Sequence, residues 1–229
     1  MNYKKHKNLT LIDCTIEDIE NKAPWFLEAE TEDAKIKFQL ETLVFVDGIW
    51  KGGIWEDGIW QNGIWEDGTW QNGIWEEGLW SDGVWEQGLW EYGLWEGGVW
   101  ERGLWKRGVW EYGLWEDGVW EYGIWKDGIW EGGRWEDGIW KRGIWKNGTW
   151  EGGIWKSGAW IDGTWENGIW EYGLWEDGTW ENGIWEYGLW EDGTWKRGIW
   201  KNGTWEGGIW ESGKIFKGDN YDFSFKPPQ

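Results

Sequence analysis

Side chains suited to catalysis are sparse in this sequence, apart from carboxylates. His6 is the single histidine and Cys14 the single cysteine. Neither lies at a spacing from other ligands or nucleophiles that is typical of a metal centre or a catalytic pair. We therefore interpret His6 as part of an N-terminal arm and Cys14 as a small apolar side chain. The sequence predicts no catalytic residue, no cofactor and no metal site.

Carboxylates are abundant, with 43 Asp and Glu against 22 Lys and Arg, a net charge of −21. Such a surface is most simply a solvated one that keeps the protein dispersed. The alternative is an acidic surface that meets a basic partner or imitates nucleic acid. Direct binding to nucleic acid or to an anionic membrane is disfavoured, because both need a basic patch. Calcium binding by Asp and Asn turns is a weaker alternative, since the Gly-Gly-x-Gly-x-Asp calcium repeat is absent.

The carboxylates are carried by a repeat of 33 consecutive Gly-x-Trp-x-x pentapeptides over residues 48–212. Glycine in every fifth position is unfavourable in a helix, whereas the order β-branched residue, aromatic residue, turn former and glycine indicates a strand followed by a turn. Residues two apart in a strand share a face, so Gly and Trp should point inward together. We predict a core formed by such residues, represented by Gly48, Gly53, Gly58, Trp50, Trp55, Trp60, Trp105, Trp155 and Trp210. The alternative is an exposed aromatic ladder that binds carbohydrate or ice.

Two all-β architectures fit this pattern. In the first, each pentapeptide is one side of a β-solenoid coil with the tryptophans stacked inside. In the second, each Ile-Trp-Glu is a very short strand of a closed meander, and each Asp-Gly is a hairpin turn. Three-residue strands are shorter than usual, and an open meander would leave one tryptophan face bare. We therefore favour the solenoid.

The array resembles the pentapeptide-repeat family, in which a small residue and a large apolar residue point into the core. Gly48 takes the small position and Trp50 the large one, and the correspondence continues to Gly208 and Trp210. The resemblance implies a quadrilateral solenoid with four pentapeptides per coil, so residues 20 apart would stack. It would form a glutamate column of Glu91, Glu111, Glu131, Glu151, Glu171, Glu191 and Glu211. Aliphatic residues before the tryptophans, such as Ile54, Ile74, Leu94 and Leu114, would add to an outer interaction surface.

The sequence divides into three regions. Residues 1–47 are predicted to form a β-rich N-terminal cap, with strands over residues 9–16, 34–40 and 43–46. Residues 48–212 are the array. Residues 213–229 are a C-terminal cap or tail, in which Ile215 stands where a tryptophan is due and residues 221–226 alternate like a strand.

These observations favour a non-enzymatic structural or interaction protein, a rigid acidic rod that self-assembles or docks protein partners. Contiguous apolar surface usually marks an interface, so a homo-oligomer is expected. A viral or phage particle component is one setting. A second hypothesis, implied by the resemblance, is a DNA mimic that modulates a type II topoisomerase. No secretion signal or membrane-inserting segment is read from the sequence, so a cytoplasmic or virion location is expected.

Overall fold

The computed structural model describes residues 5–217 and 220–222. Two compact units make up the chain, residues 1–114 and 115–229. The fold is an all-β parallel solenoid with a buried tryptophan stack, as the sequence predicts. Among the described residues, none of the helices is long and apolar enough to cross a membrane.

The first unit begins with a small mixed region that leads into the repeats. Two short strands, β1 (His6–Lys7) and β2 (Thr10–Leu11), precede helix α1 (Ile16–Lys22) and a 3-10 helix (Pro24–Glu28). An antiparallel pair follows, formed by β3 (Glu30–Gln39) and β4 (Thr42–Gly52). The strands predicted over 34–40 and 43–46 are confirmed within β3 and β4, except that Leu40 lies in the turn after β3.

The strand predicted over residues 9–16 is wrong for most of its length, because only Thr10–Leu11 forms a strand and helix α1 begins at Ile16. The sequence signal for this helix is a capping box. The Thr15 hydroxyl accepts a hydrogen bond from the Asp18 backbone N–H, and the Asp18 carboxylate accepts one from the Thr15 N–H. Two amides at the start of the helix are thereby satisfied, which favours helix over strand at this point.

The repeats form thirty-two two-residue strands, β5 to β36, each composed of one tryptophan and the residue before it. They recur at every pentapeptide from Ile54–Trp55 (β5) to Ile209–Trp210 (β36). The second unit continues into β37 (Lys214–Lys217), which pairs antiparallel with β38 (Asn220–Asp222). Part of the alternating segment predicted over 221–226 lies outside the described residues.

The prediction of four pentapeptides per coil is wrong, because the strands pair in parallel with partners three pentapeptides along the chain. In the first unit Trp80 pairs with Trp95, and in the second Trp155 pairs with Trp170. Each coil therefore has three sides, and 33 repeats correspond to about 11 turns. At least two backbone hydrogen bonds join most sides to the neighbouring coil, as from Leu174 N–H to the Gly158 carbonyl (3.0 Å) and from Glu176 N–H to the Trp160 carbonyl (2.8 Å).

The indoles explain the three-sided coil. Each indole stacks on its counterpart in the next coil, as Trp155 does on Trp170, with ring centroids 4.8 Å apart and planes 6° from parallel. It also meets the indole of the neighbouring side edge to face, at 6.0 Å for Trp150 and Trp155. Both are favourable aromatic geometries. Four indoles at that lateral spacing would stand farther from the coil axis and leave unfilled space, which costs dispersion energy.

Glycine is required at each inward corner for two reasons. Gly63 has φ +129°, which L side chains rarely adopt, and a Cβ there would lie 2.4 Å from the Gly48 carbonyl oxygen of the previous coil. The Asp or Asn that often precedes this glycine also has a local role. The Asp162 carboxylate accepts a hydrogen bond from the Gly163 N–H at 2.6 Å. The Asp-Gly and Asn-Gly pairs therefore mark corners of a coil and not hairpin turns.

Aromatic side chains cover the first coil of the tryptophan stack in the first unit. Phe45 stacks on Trp60 with ring centroids 4.0 Å apart, and Trp25 meets Trp55 edge to face at 4.9 Å. Phe26 lies over Trp50 at 6.1 Å. Each of the three stacks thus begins on an aromatic ring of the cap. In the second unit Ile215 pairs with Trp200 and is 7% exposed, so it continues one stack with an aliphatic side chain.

Candidate interaction surface

Sequence variation in the array is confined to outward positions. The tryptophans from Trp50 to Trp195 are fully buried, and their glycines cannot vary. The residues before and after each tryptophan point outward. On every face, the residues before the tryptophans form one column and the residues after them form another, and successive members of a column come from successive coils. A third column, two residues after tryptophan, runs along each corner. Any binding chemistry of the array must therefore come from these columns.

The three faces of the second unit differ in their outward side chains. We name each face after the residues that precede its tryptophans. The isoleucine face carries Ile124, Ile139, Ile154, Ile169, Ile184 and Ile199. The threonine face carries Val119, Arg134, Thr149, Thr164, Thr179, Thr194 and Ile209. The leucine face carries Ile129, Ile144, Ala159, Leu174, Leu189 and Thr204.

Charge is distributed unevenly over these faces. After tryptophan, the threonine face carries Glu121, Glu136, Glu151, Glu166, Glu181, Lys196 and Glu211, and the leucine face carries Glu131, Lys146, Ile161, Glu176, Glu191 and Glu206. The isoleucine face carries Lys126, Lys141, Lys156, Glu171, Glu186 and Lys201. Lysine therefore outnumbers glutamate on one face of an otherwise acidic unit.

The predicted glutamate column does not exist as a column. In the second unit Glu131, Glu151 and Glu171 follow tryptophans of the leucine, threonine and isoleucine faces in turn, and Glu191 and Glu211 continue that rotation. In the first unit Glu91 and Glu111 follow Trp90 and Trp110, which also belong to different columns. The cause is the coil of three pentapeptides, which turns residues four pentapeptides apart onto successive faces.

The predicted aliphatic surface is likewise divided. Ile54, Ile74 and Leu94 precede tryptophans of three different columns in the first unit. Leu114 belongs to the column of Ile54, because its N–H donates to the carbonyl of Gly98, next to Val99 of that column. Ile54 is 51% exposed and Ile74 37%, whereas most residues at this position are half-buried. The position therefore presents partly exposed apolar surface, arranged in columns that the sequence prediction placed incorrectly.

Ion pairs run along the columns between successive coils. In the second unit Lys156 pairs with Glu171 at 2.7 Å and Lys201 with Glu186 at 2.8 Å on the isoleucine face. Lys196 pairs with Glu181 at 2.7 Å on the threonine face, and this contact raises the pKa of Lys196. These side chains are about 40% exposed, so each pair contributes little stability. Their main effect is to relieve the repulsion of like charges stacked at strand spacing.

The two unusual residues of the cap have structural surroundings. His6 is buried in β1, where its ring stacks on Phe26 at 4.8 Å and Nδ1 lies 2.9 Å from the Thr31 hydroxyl. Burial lowers the pKa of His6. Cys14 is half-buried, and desolvation raises the pKa of its thiol, which opposes nucleophilic chemistry. His6 is thus a packed residue of the sheet and not part of a loose arm.

Other forms of ligand binding find little support on the described surface. No group of three or more His, Cys, Asp or Glu in the described residues is arranged to hold a metal ion. The buried tryptophans cannot act as an outer aromatic ladder, and the Asp and Asn oxygens at many corners already accept a glycine N–H. Tyr172 and Tyr187 form a surface aromatic pair, with ring centroids 5.5 Å apart.

Sequence reasoning missed the isoleucine face because it assigned the wrong length to the coil. The sequence does contain a signal for the correct length. The segment Trp165–Trp180 recurs unchanged as Trp180–Trp195, a shift of three pentapeptides. That shift equals one coil, so the copy lies directly on its original and stacks identical residues. The periodicity of single pentapeptides conceals this length, because every side of the coil has the same inward pattern.

The three-sided coil and the sealed indole core define a parallel β-solenoid with a five-residue strand period. No protein-family model matches the chain, and a comparison with curated proteins finds no match.

Proposed function

We propose that this protein is a non-enzymatic structural and interaction protein, which uses the outward columns of its solenoid to bind copies of itself or protein partners. The observation that supports this most directly is the division between a fixed core and variable faces. Half-buried aliphatic columns flanked by charge are typical of surfaces that are covered in an assembly. The chemistry-bearing residues His6 and Cys14 are packed within the cap, where they offer no catalytic arrangement.

Sedimentation velocity of the full chain over a wide concentration range tests this function. Self-association should give a sedimentation coefficient that rises with concentration, and added salt should change it because the faces are charged. A strictly monomeric protein at every concentration would contradict the self-assembly proposed here.

We also propose a distant relationship to the pentapeptide-repeat proteins, in which Trp and Gly replace the family's inward residues and the coil has three sides. The shared five-residue side supports this proposal. Its consequence is a second candidate function, the DNA mimic. Five successive glutamates support it, since Glu121, Glu136, Glu151, Glu166 and Glu181 follow one another in a single column of the threonine face. A type II topoisomerase supercoiling assay that showed neither inhibition nor protection would dismiss the mimic.

A further inference from the structure

The isoleucine face of the second unit is its most continuous apolar column. Six isoleucines, Ile124 to Ile199, follow one another without interruption, and each is half-buried. The threonine face is interrupted by Arg134 and four threonines, and the leucine face has only the small Ala159 in its middle and the polar Thr204 at its end. Packing within the coil does not require isoleucine at this position, because Arg134 and Ala159 occupy the equivalent position on other faces. The uninterrupted column is therefore available for contact with another molecule.

The charged column beside these isoleucines has a self-complementary order. Along the unit it reads Lys126, Lys141, Lys156, Glu171, Glu186, Lys201. Reversing this order about the midpoint between Lys156 and Glu171 places Lys156 opposite Glu171, and Lys141 opposite Glu186. A second copy of the same face, turned end for end, thus presents opposite charge at four of the six positions. The remaining two bring Lys126 opposite Lys201 at the ends, where solvent screens the repulsion.

We propose that two copies of this chain form an antiparallel dimer through their isoleucine faces, with a two-fold axis parallel to the strands between Lys156 and Glu171. This inference rests on the proposed function and specifies its partner. A two-fold axis in that direction keeps the isoleucine column opposite isoleucine and the charged column opposite charge. Both copies have the same rise per coil, so coils that lie level with each other near the axis stay level along the whole face. Self-complementary patches of this kind form isologous dimers, the commonest symmetric assemblies.

The size of the face sets the expected affinity. Six coils at about 4.8 Å and a side of five residues at about 3.3 Å give a face of roughly 29 by 16 Å. The dimer would bury on the order of 450 Å² per copy, about 900 Å² in total, which is at the low end for specific interfaces. Sheets packed face to face lie about 10 Å apart, a gap that a lysine and a glutamate can span together. A micromolar, salt-sensitive dimer is expected.

Charge reversal in the full chain tests the dimer, with sedimentation velocity from about 1 to 100 µM, a range that suits an interface of this size. The variant Lys141→Glu/Lys156→Glu places only like charges opposite one another at the four central positions, as does Glu171→Lys/Glu186→Lys. We expect each variant alone to dimerise at least about 10-fold more weakly, a loss of about 1.4 kcal/mol. An equimolar mixture of the two should restore association, because the two columns are then complementary.

The matched control is Glu176→Lys/Glu191→Lys, which makes the same change of charge on the leucine face and should leave the dimer intact. Circular dichroism of each variant verifies the fold. If the wild-type chain associates but both reversals leave it unaffected, or if the mixture fails to restore association, the isoleucine-face dimer is overturned while self-assembly stands. If the wild-type chain stays monomeric throughout, the proposed self-assembly itself is overturned.

Discussion

At the scale of single residues, the inward glycine is as restrictive as the tryptophan. Its backbone requires a positive φ, and its missing side chain leaves room for the carbonyl of the previous coil. The indole edge comes close as well, since Trp155 Cζ2 lies 3.2 Å from the position of a Cβ on Gly158. The Gly-x-Trp spacing therefore reflects a packing requirement, and the predicted tryptophan core is confirmed from Trp50 to Trp195. Of the other predicted core residues, Trp210 is only half-buried and Gly53 is exposed.

Gly63→Ala should lower the free energy of unfolding by at least about 2 kcal/mol, because a strained φ alone costs about 1–3 kcal/mol and the Cβ also meets the Gly48 carbonyl. Urea denaturation measures the effect as a lower midpoint. Gly52→Ala is the matched control, since a Cβ there meets nothing within 4 Å and should change stability by no more than about 0.5 kcal/mol. Equal midpoints for the two variants would refute this account of the corner.

At the scale of elements, the sequence predicts which residues of one side of the coil point inward, but it does not predict how many sides a coil has. Alternation of Gly and Trp reveals which residues point inward, because that property is local to one strand. The number of sides depends on how indoles from different strands fill the centre, which no single pentapeptide encodes. Helix α1 was missed for a different reason: its signal is the short Thr15 and Asp18 capping box within a segment of strand-like composition.

The cap should weaken in acid through Glu32. Hydrogen bonds from Lys51, and then from Lys7, lower the pKa of Glu32 from 4.5 to about 2. A carboxylate whose pKa is lower in the folded state stabilises that state above its unfolded pKa, and the contribution disappears as the pH falls from about 4.5 to about 2. Thermal denaturation across that window should show a smaller loss of stability in Glu32→Gln than in the wild type. Glu20→Gln, an exposed helix residue, should retain the wild-type pH profile.

At the scale of the whole molecule, almost all of the tryptophan absorbance comes from buried rings. Native fluorescence should therefore be blue-shifted and resist quenching by iodide, and urea should remove both properties. Rings stacked 4.8 Å apart should also exchange excitation energy, which lowers the fluorescence anisotropy. Red-shifted emission that iodide quenches readily in the native protein would contradict the sealed core.

Length changes should be tolerated in units of one pentapeptide. Deleting residues 158–162 removes one side and leaves the Gly-x-Trp order unbroken, so the chain should fold with near-native circular dichroism. Deleting only residues 158–160 joins Ser157 to Ile161 and shifts glycine out of its corner, which should lower the urea midpoint sharply. The deletion of residues 158–172, one full coil, serves as the control that keeps every outward column in line. Tolerance of the 158–160 deletion would argue against a fixed side length.

The equivalence of the three sides has a consequence for how such a surface can change. Insertion of one pentapeptide, fifteen bases of coding sequence, would leave the ring stacking intact and move every later outward residue to the next face. The chain already shows one segment on two faces, since Arg142–Trp155 recurs as Arg197–Trp210 after eleven pentapeptides, which is not a whole number of coils. The two copies therefore display one string of residues in two different directions. Replication slippage could in this way recombine the faces of the solenoid without a single substitution.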